Sequence, residues 1–162
     1  MELETKRLTI KDLSMDDIER FSEYRNKKEV ANYQSWKQYP LSKAKQRIIY
    51  CLKHPFQGKI GNYHLGIYFN HYLIGDIFIE IDGQTTFTIG YTLDSAYWSQ
   101  GYATEALEAF LNYMRDVYHF KICLAYVYED NERSIHLLEK MGFELMNKSW
   151  FYQDILFRKK LD

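Results

Sequence analysis

Residues 97–107, YWSQGYATEAL, place small and hydroxyl-bearing side chains between an apolar run and an amphipathic run. A helix that begins near Gly101 would leave backbone N–H groups unpaired, and its dipole would add partial positive charge. Gly101 and Ala103 would let an anionic group approach the backbone closely, and Thr104 would add a hydroxyl. The stretch therefore predicts a pyrophosphate-binding loop, with a tight turn at Gly101 as the alternative.

Two other phosphate-binding motifs are absent from the chain. The sequence contains no GKS or GKT triplet, which excludes a P-loop of the nucleoside-triphosphate type. It also contains no GxGxxG motif after a first strand with an acidic residue about 20 positions later, which excludes the dinucleotide-binding fingerprint.

A second candidate motif is NERSIHLLEKMGF, residues 131–143. Asn131 and Ser134 are three positions apart, so a helix would place them on one face. Gly142 could end that helix in the left-handed conformation that glycine adopts at low cost. The motif predicts an amide and a hydroxyl held side by side at the start of a short helix.

Glu80 is the candidate general base on a strand. In GDIFIEI the alternation puts Asp76, Phe78 and Glu80 on one face. If that face looks into an acceptor cleft, Glu80 would share proton removal with water, and the alternative is a solvated or ion-paired carboxylate. His64 is a lesser candidate for a proton relay, whereas Glu105 is explained by the helix dipole alone.

The elements that must position these residues alternate along the chain. KRLTIKDL predicts a strand, Ser14 caps a first helix, and LSKAKQRIIYCL predicts a second helix from Ser42 to about Leu52. Three aromatic and β-branched runs then predict an antiparallel meander. A long amphipathic helix, the strand KICLAYVY, the short helix and the strands ELMNKSWF and YQDILFRKKL complete the order. We therefore predict one α/β (α+β) domain over residues 1–162, with a mixed, mostly antiparallel sheet of six to seven strands flanked by four helices.

Composition narrows the possible functions. The 162 residues carry a net charge of −1, without the clustered Lys and Arg that a nucleic-acid binder needs. Cys51 and Cys123 show no zinc-ligand spacing, so we expect free thiols and no metal. No signal peptide and no apolar stretch of membrane-spanning length are present. The sequence predicts a cytoplasmic protein with no nucleic-acid or membrane partner.

The two motifs together, GYTLDSAYWSQGYATEAL and NERSIHLLEKMGF, closely resemble the GNAT family of N-acetyltransferases. The branch that acetylates ribosomal-protein N-termini is the most similar, since RLTIKDL and YRNKKEVANYQSW also resemble it. The resemblance extends over nearly the whole chain. It implies the acyl-CoA N-acyltransferase fold, acetyl-CoA as co-substrate, transfer of an acetyl group to a primary amine, and a possible homodimer.

The resemblance also implies roles for particular residues. The pantetheine arm of acetyl-CoA would pair with backbone at Tyr91, Thr92 and Leu93, and Asn131 would bind the same arm. The pyrophosphate would lie on a loop that contains Trp98, with backbone donors at Gln100, Gly101, Tyr102, Ala103 and Thr104. Ser134 would protonate the departing sulfur.

Three positions depart from the common pattern of the family. Trp98 replaces a Gln or Arg, as in the ribosomal branch, while Thr88 replaces a frequent Glu and Leu138 a frequent Tyr acid. Acid and base must therefore lie elsewhere, and Ser134 and Glu80 are the candidates. The acceptor is expected to be a protein N-terminus or a small-molecule amine. A non-catalytic acyl-CoA sensor and a nucleotide-binding module remain as alternatives.

Overall fold

The computed structural model describes residues 1–148 and 153–162, and its strands form one eight-stranded sheet. The strands are β1 (Glu2–Glu4), β2 (Leu8–Asp12), β3 (Gly61–Phe69), β4 (Tyr72–Ile81), β5 (Thr86–Leu93), β6 (Ile122–Tyr128), β7 (Glu144–Lys148) and β8 (Asp154–Lys160). The helices are α1 (Ile18–Arg25), α2 (Lys28–Ala31), α3 (Leu41–Lys53), α4 (Tyr102–Tyr118) and α5 (Glu132–Lys140). Short 3-10 turns at Met15–Asp17 and Ser95–Tyr97 precede α1 and α4.

The sheet has the order β1-β2-β3-β4-β5-β6-β8-β7. The predicted meander is confirmed, because β3, β4 and β5 pair in antiparallel fashion through short turns. β5 and β6 pair in parallel, with α4 as the crossover that a parallel pair requires. The predicted mixed, mostly antiparallel sheet is therefore confirmed.

The structure contains one strand more than the upper limit of the prediction and one additional helix. β1 is only three residues long and pairs with β2 at the sheet edge. α2 is a single turn that buries Val30 and Ala31. Neither segment is long enough to show a periodic pattern, so local sequence could not reveal them.

The parallel pairing of β5 and β6 is short, and this positions the site. Their ladder runs from Thr86 opposite Ile122 to Ile89 opposite Ala125. Beyond Ile89 the two strands no longer pair, although both continue. A wedge therefore opens between residues 90–93 and 126–128 at the centre of the sheet.

Helices cover both faces of the sheet with apolar side chains. The buried stripe of α4, which includes Phe110 and Met114, packs in one cluster with Ile77 and Phe87. On the other face, α1 and α3 contribute Phe21 and Ile48 to a second cluster. The free thiols of Cys51 and Cys123 are both buried.

The C-terminal strands fall partly within the described residues. β7 and β8 form an antiparallel pair where two strands were predicted. The middle of those predictions, residues 149–152, lies outside the described residues. In the described part of the chain, no helix is both long and apolar enough to cross a membrane. The same residues contain no group of three or more His, Cys, Asp or Glu that could hold a metal ion.

Candidate active site

The loop before α4 has the geometry of an anion cradle. The first helical hydrogen bond of α4 runs from the Glu105 N–H to the Gly101 carbonyl, at 3.0 Å. The N–H groups of the three preceding residues therefore have no carbonyl partner within the helix. Gly101 has φ +82°, a conformation that glycine adopts without strain. A Cβ at this position would lie 3.3 Å from Arg7 Nη2. Tyr102, Ala103 and Thr104 therefore offer backbone donors beside a position without a side chain.

Arg7 fixes this loop from the N-terminal part of the chain. Its Nη1 donates to the Gln100 carbonyl at 3.0 Å, and its Nε is 2.7 Å from Glu105 Oε2. Thr5 Oγ1 donates to the same carboxylate at 2.7 Å. Glu105 is thus a structural residue that ties the turn between β1 and β2 to α4. Sequence reasoning missed Arg7, because its partner Glu105 is 98 positions away.

The start of the loop is tied to β5 and α1. Trp98 Nε1 donates to the Leu93 carbonyl at 2.9 Å, and the Arg133 guanidinium lies 3.5 Å from the centre of the Trp98 ring. The buried Asp94 carboxylate accepts from Lys27 Nζ at 2.6 Å and also pairs with Arg20. Burial favours a higher pKa for Asp94, but the hydrogen bonds from Lys27 and Arg20 outweigh it and lower the pKa.

A cleft of about 380 Å³ brings most of the predicted cofactor residues together. Nine of the ten predicted positions line it: Tyr91, Thr92, Leu93, Trp98, Gly101, Tyr102, Ala103, Thr104 and Asn131. Gln100 does not line the cleft, and its side chain donates instead to the Ala96 carbonyl at 3.4 Å. Tyr33 and Gln34, which follow α2, complete the wall and were not predicted.

Three basic side chains of α5 also line this cleft. Arg133, His136 and Lys140 are spaced by three and four residues, so they share one helix face. Together with the α4 backbone donors they form a set that suits a polyphosphate. The spacing of the basic residues by three and four in NERSIHLLEK was a sequence signal for this face, but the same spacing is found on solvated helix surfaces.

A second cleft of about 230 Å³ occupies the wedge between β5 and β6. Its walls include Gly90 on β5 and Tyr126 on β6. Asp154, the first residue of β8, is the one carboxylate on this wall among the described residues. It was not predicted, since nothing local in YQDILFRKKL distinguishes it from a surface carboxylate.

Five residues line both clefts and define what we call the junction: Tyr33, Gln34, Tyr91, Asn131 and Ser134. Asn131 caps α5, because its Oδ1 accepts the Ser134 N–H at 3.3 Å. Its amide N–H groups remain as donors. The Tyr91 hydroxyl is buried without a hydrogen-bond partner among the described residues. Burial raises the pKa of Tyr91 to about 12.

The structure does not bring Glu80 to this junction. Glu80 is exposed and lies opposite Thr88 on β5, and neither residue lines either cleft. Glu80 shares a face of β4 with Asp76 and Phe78, as predicted. On that face α1 contacts Asp76 and α3 contacts Phe78, and the cofactor loop does not reach it. This position gives the assignment of Glu80 as base no geometric support.

Comparisons with known proteins identify the family. The profile of the acetyltransferase (GNAT) domain matches residues 7–144. YkkB of Bacillus subtilis strain 168, an uncharacterised protein, is 36% identical over 63 residues, which are 39% of this chain and 37% of that protein. An uncharacterised N-acetyltransferase of Bacillus licheniformis, p20, is 26% identical over 145 residues, which are 88% of this chain and 82% of that protein.

A solved structure shows the same fold at low identity. The ribosomal-protein alpha-N-acetyltransferase RimL, in complex with coenzyme A, superposes with a TM-score of 0.85 at 15% identity. The superposition covers 100% of this chain and 99% of RimL. Since the family profile spans most of the sequence and the fold agrees throughout, the chain belongs to the GNAT family of N-acetyltransferases.

Proposed function

We propose that this protein transfers the acetyl group of acetyl-CoA to a primary amine by direct attack on the thioester. The observation that carries the proposal is the meeting of two clefts at one junction. One cleft has the donors and basic side chains of a polyphosphate site, and the other has a carboxylate that suits an amine. Their shared wall is where an acetyl group would pass from one ligand to the other.

The first cleft has the chemistry that coenzyme A requires. The pyrophosphate would accept hydrogen bonds from the backbone N–H groups at the start of α4. Arg133 and Lys140 would neutralise the phosphate charge. The pantetheine arm would run along the unpaired end of β5, toward Tyr91 and Asn131. The thioester would then lie at the junction, where Ser134 is the hydroxyl proposed to assist the sulfur.

The second cleft would hold the acceptor. Asp154 would bind the acceptor as an ammonium ion and take its proton, so that the neutral amine attacks the carbonyl carbon. A C–N bond forms, the C–S bond breaks, and its electron pair stays on sulfur. A backbone N–H at the open end of β5 would donate to the oxyanion of the tetrahedral intermediate. The acceptor is a protein N-terminus or a small-molecule amine, and either would react through its primary amino group.

Thiol release with acetyl-CoA and a panel of amines tests the proposal. The panel should include short peptides with a free N-terminus, polyamines and aminoglycosides. We expect thiol release that depends on the amine, with a matching acetylated product by mass spectrometry. Coenzyme A binding without turnover on any member would contradict transfer and favour a sensor, and competition by ATP or NAD at similar affinity would favour a nucleotide-binding module.

Two carboxylate variants separate the candidate bases. Asp154→Asn should lower kcat about 10- to 100-fold, at the low end of general-base effects, and should alter the pH–rate profile. Glu80→Gln is the matched control, since it removes an exposed carboxylate outside both clefts. A full loss in Glu80→Gln together with normal activity in Asp154→Asn would reverse the assignment.

A further inference from the structure

The Tyr91 side chain stands apart from the other polar groups of the junction. On β5 it shares with the buried Ile89 and Leu93 the face that α4 and α5 cover. It lines both clefts, yet its hydroxyl is buried and has no hydrogen-bond partner among the described residues. Buried hydroxyls in folded proteins are nearly always paired, so an unpaired one calls for a ligand or a movable partner.

Ser134 is the movable partner in reach. Its side chain is close enough to Tyr91 to lower the pKa of the phenol, although burial, the larger influence, raises that pKa. The two hydroxyls do not form a hydrogen bond of acceptable geometry in the structure. A serine hydroxyl rotates freely and has one proton to donate. If Tyr91 donates to Ser134 Oγ, the serine proton is left free for another acceptor.

We propose that Tyr91 is a positioning residue whose O–H donates to Ser134 Oγ and thereby directs the Ser134 O–H at the sulfur of the thioester. This inference rests on the proposed function, which places that sulfur at the junction. The C–S bond breaks with its electron pair on sulfur, and the hydrogen bond from Ser134 stabilises the thiolate. The proton lost by the amine goes to a carboxylate or to water, so neither hydroxyl is deprotonated.

The acidity of Tyr91 fits a donor and not a proton source. A phenol with a pKa of about 12 stays protonated at every working pH. The reference pKa of a thiol is about 8.5, so complete proton transfer from Tyr91 to the thiolate would be uphill by more than three units. A hydrogen bond needs no such transfer and strengthens as charge develops on sulfur.

Titration of the thiol of bound coenzyme A tests the pair without any acceptor or turnover. The ultraviolet absorbance of the thiolate reports the thiol pKa in the complex. Donors aimed at sulfur lower that pKa, so we expect it to rise by about 0.5 to 1 unit in both Tyr91→Phe and Ser134→Ala. Tyr113→Phe, which removes a phenol of α4 outside both clefts, is the control and should leave it unchanged. An unchanged thiol pKa in Tyr91→Phe would overturn the proposal.

A double-mutant cycle on kcat shows whether Tyr91 acts through Ser134. We expect Tyr91→Phe to lower kcat about 5- to 10-fold, with an unchanged KM for acetyl-CoA, and to have no further effect in the Ser134→Ala background. Independent, multiplying losses would overturn the positioning role. If the wild-type protein acetylates no amine, the proposed function fails, while the thiol titration still decides the Tyr91–Ser134 pair.

Discussion

Two regions of the molecule bury polar side chains, and they differ in whether the hydrogen bonds of those side chains are made within the protein. Under α1 lies what we call the Asp76 cluster, which consists of Asp76 with Tyr24, Arg25, Arg47 and His64. Asp76 is 1% exposed and accepts from Arg25 Nη1 at 2.8 and 2.9 Å. Tyr24 donates its hydroxyl to the same carboxylate, and His64 Nε2 lies 3.2 Å from Asp76 Oδ1. At the junction, in contrast, the Tyr91 hydroxyl has no partner among the described residues.

The difference distinguishes polar groups that stabilise the fold from polar groups that can still bind a ligand or a movable side chain. Every oxygen of Asp76 is in use, so no acceptor position remains for a substrate. Burial alone would raise the pKa of Asp76, but the Arg25 charge and the hydrogen bonds from His64 and Tyr24 hold it at about 2. The saturated Asp76 carboxylate rigidifies the fold, although Arg25 Nε and Arg47 Nη2 near it are also buried without a partner among the described residues. The unsatisfied Tyr91 hydroxyl differs because it lies in a cleft, where a ligand or a movable partner can take its hydrogen bond.

His64 belongs to the Asp76 cluster and is not placed as a proton relay. Arg47 Nε donates to His64 Nδ1 at 2.7 Å, so Nδ1 is an acceptor and the proton sits on Nε2, facing Asp76. Burial lowers the pKa of His64 despite the nearby carboxylate. The imidazole is therefore neutral and held on both sides.

The Asp76 cluster nevertheless contacts the segment that carries two residues of the junction. The Arg25 guanidinium lies 3.9 Å from the centre of the Trp36 ring, and Trp36 Nε1 donates to the Arg25 carbonyl at 2.8 Å. Trp36 is two residues after Gln34, which lines both clefts together with Tyr33. Packing around Asp76 thus fixes the loop that forms one wall of the junction.

The largest expected effect is the loss of stability when the Asp76 cluster is disrupted. Asp76→Asn leaves the buried Arg25 charge uncompensated, which should lower the free energy of unfolding by about 3–5 kcal/mol. Urea denaturation measures this loss. Glu80→Gln, an exposed carboxylate on the same strand, is the control and should change stability by no more than about 0.5 kcal/mol. A loss below about 1 kcal/mol in Asp76→Asn would mean that the cluster is not structural.

The second-largest expected effect is a loss of kcat, without a loss of stability, when Ser134 at the junction is replaced. Ser134→Ala should lower kcat about 10- to 100-fold, or about 1.4–2.7 kcal/mol, with little change in the KM for acetyl-CoA. The reason is that this hydroxyl acts on the departing thiolate and not on the bound ground state. Steady-state kinetics and urea denaturation together check this, since stability should be unchanged. Full kcat in the variant would show that the thiolate leaves unassisted.

Gly101→Val tests the backbone cradle. The left-handed conformation disfavours a β-branched residue, and its Cβ would approach Arg7. The dissociation constant of acetyl-CoA should rise at least about tenfold, or 1.4 kcal/mol. Calorimetry measures it, with Gly83→Ala as the control, because a Cβ at Gly83 meets nothing within 4 Å. Wild-type affinity in Gly101→Val would exclude close backbone contact with the phosphates.

The smallest effect is the pH dependence of stability. Because the pKa of His64 is lowered from its usual 6.5, the unfolded chain binds a proton more readily. Stability is then fully present above pH 6.5 and falls as the pH drops below it, by less than about 1.4 kcal/mol per pH unit for one proton. The lowered pKa of Asp76 adds a further loss between its usual 3.8 and about 2.

Urea midpoints measured between about pH 7 and pH 5 isolate the histidine contribution. His64→Gln should flatten this part of the curve and leave the loss at lower pH in place. An equally steep decline in the variant would assign the effect to other groups.

The sequence by itself determined the order of the main elements and the two motifs of the cofactor cleft. Nine of the ten predicted cofactor positions line that cleft. Eight of these nine lie within residues 91–104, where strand end, loop and helix start are adjacent in sequence and local patterns encode them. The sequence also indicated the pairing of β3, β4 and β5, since short turns leave consecutive strands little choice but to pair.

Only the tertiary structure decided which side chains meet across long separations. Arg7 reaches Glu105, Asp154 reaches the wedge from β8, and Asp76 becomes a saturated structural group instead of a cleft carboxylate. Tyr91 was predicted for its backbone, and its side chain lines both clefts together with Ser134, beyond Ile89, where β5 and β6 separate. These contacts depend on sheet register and on where a ladder ends, which are set by the packing of the whole chain rather than by neighbouring residues.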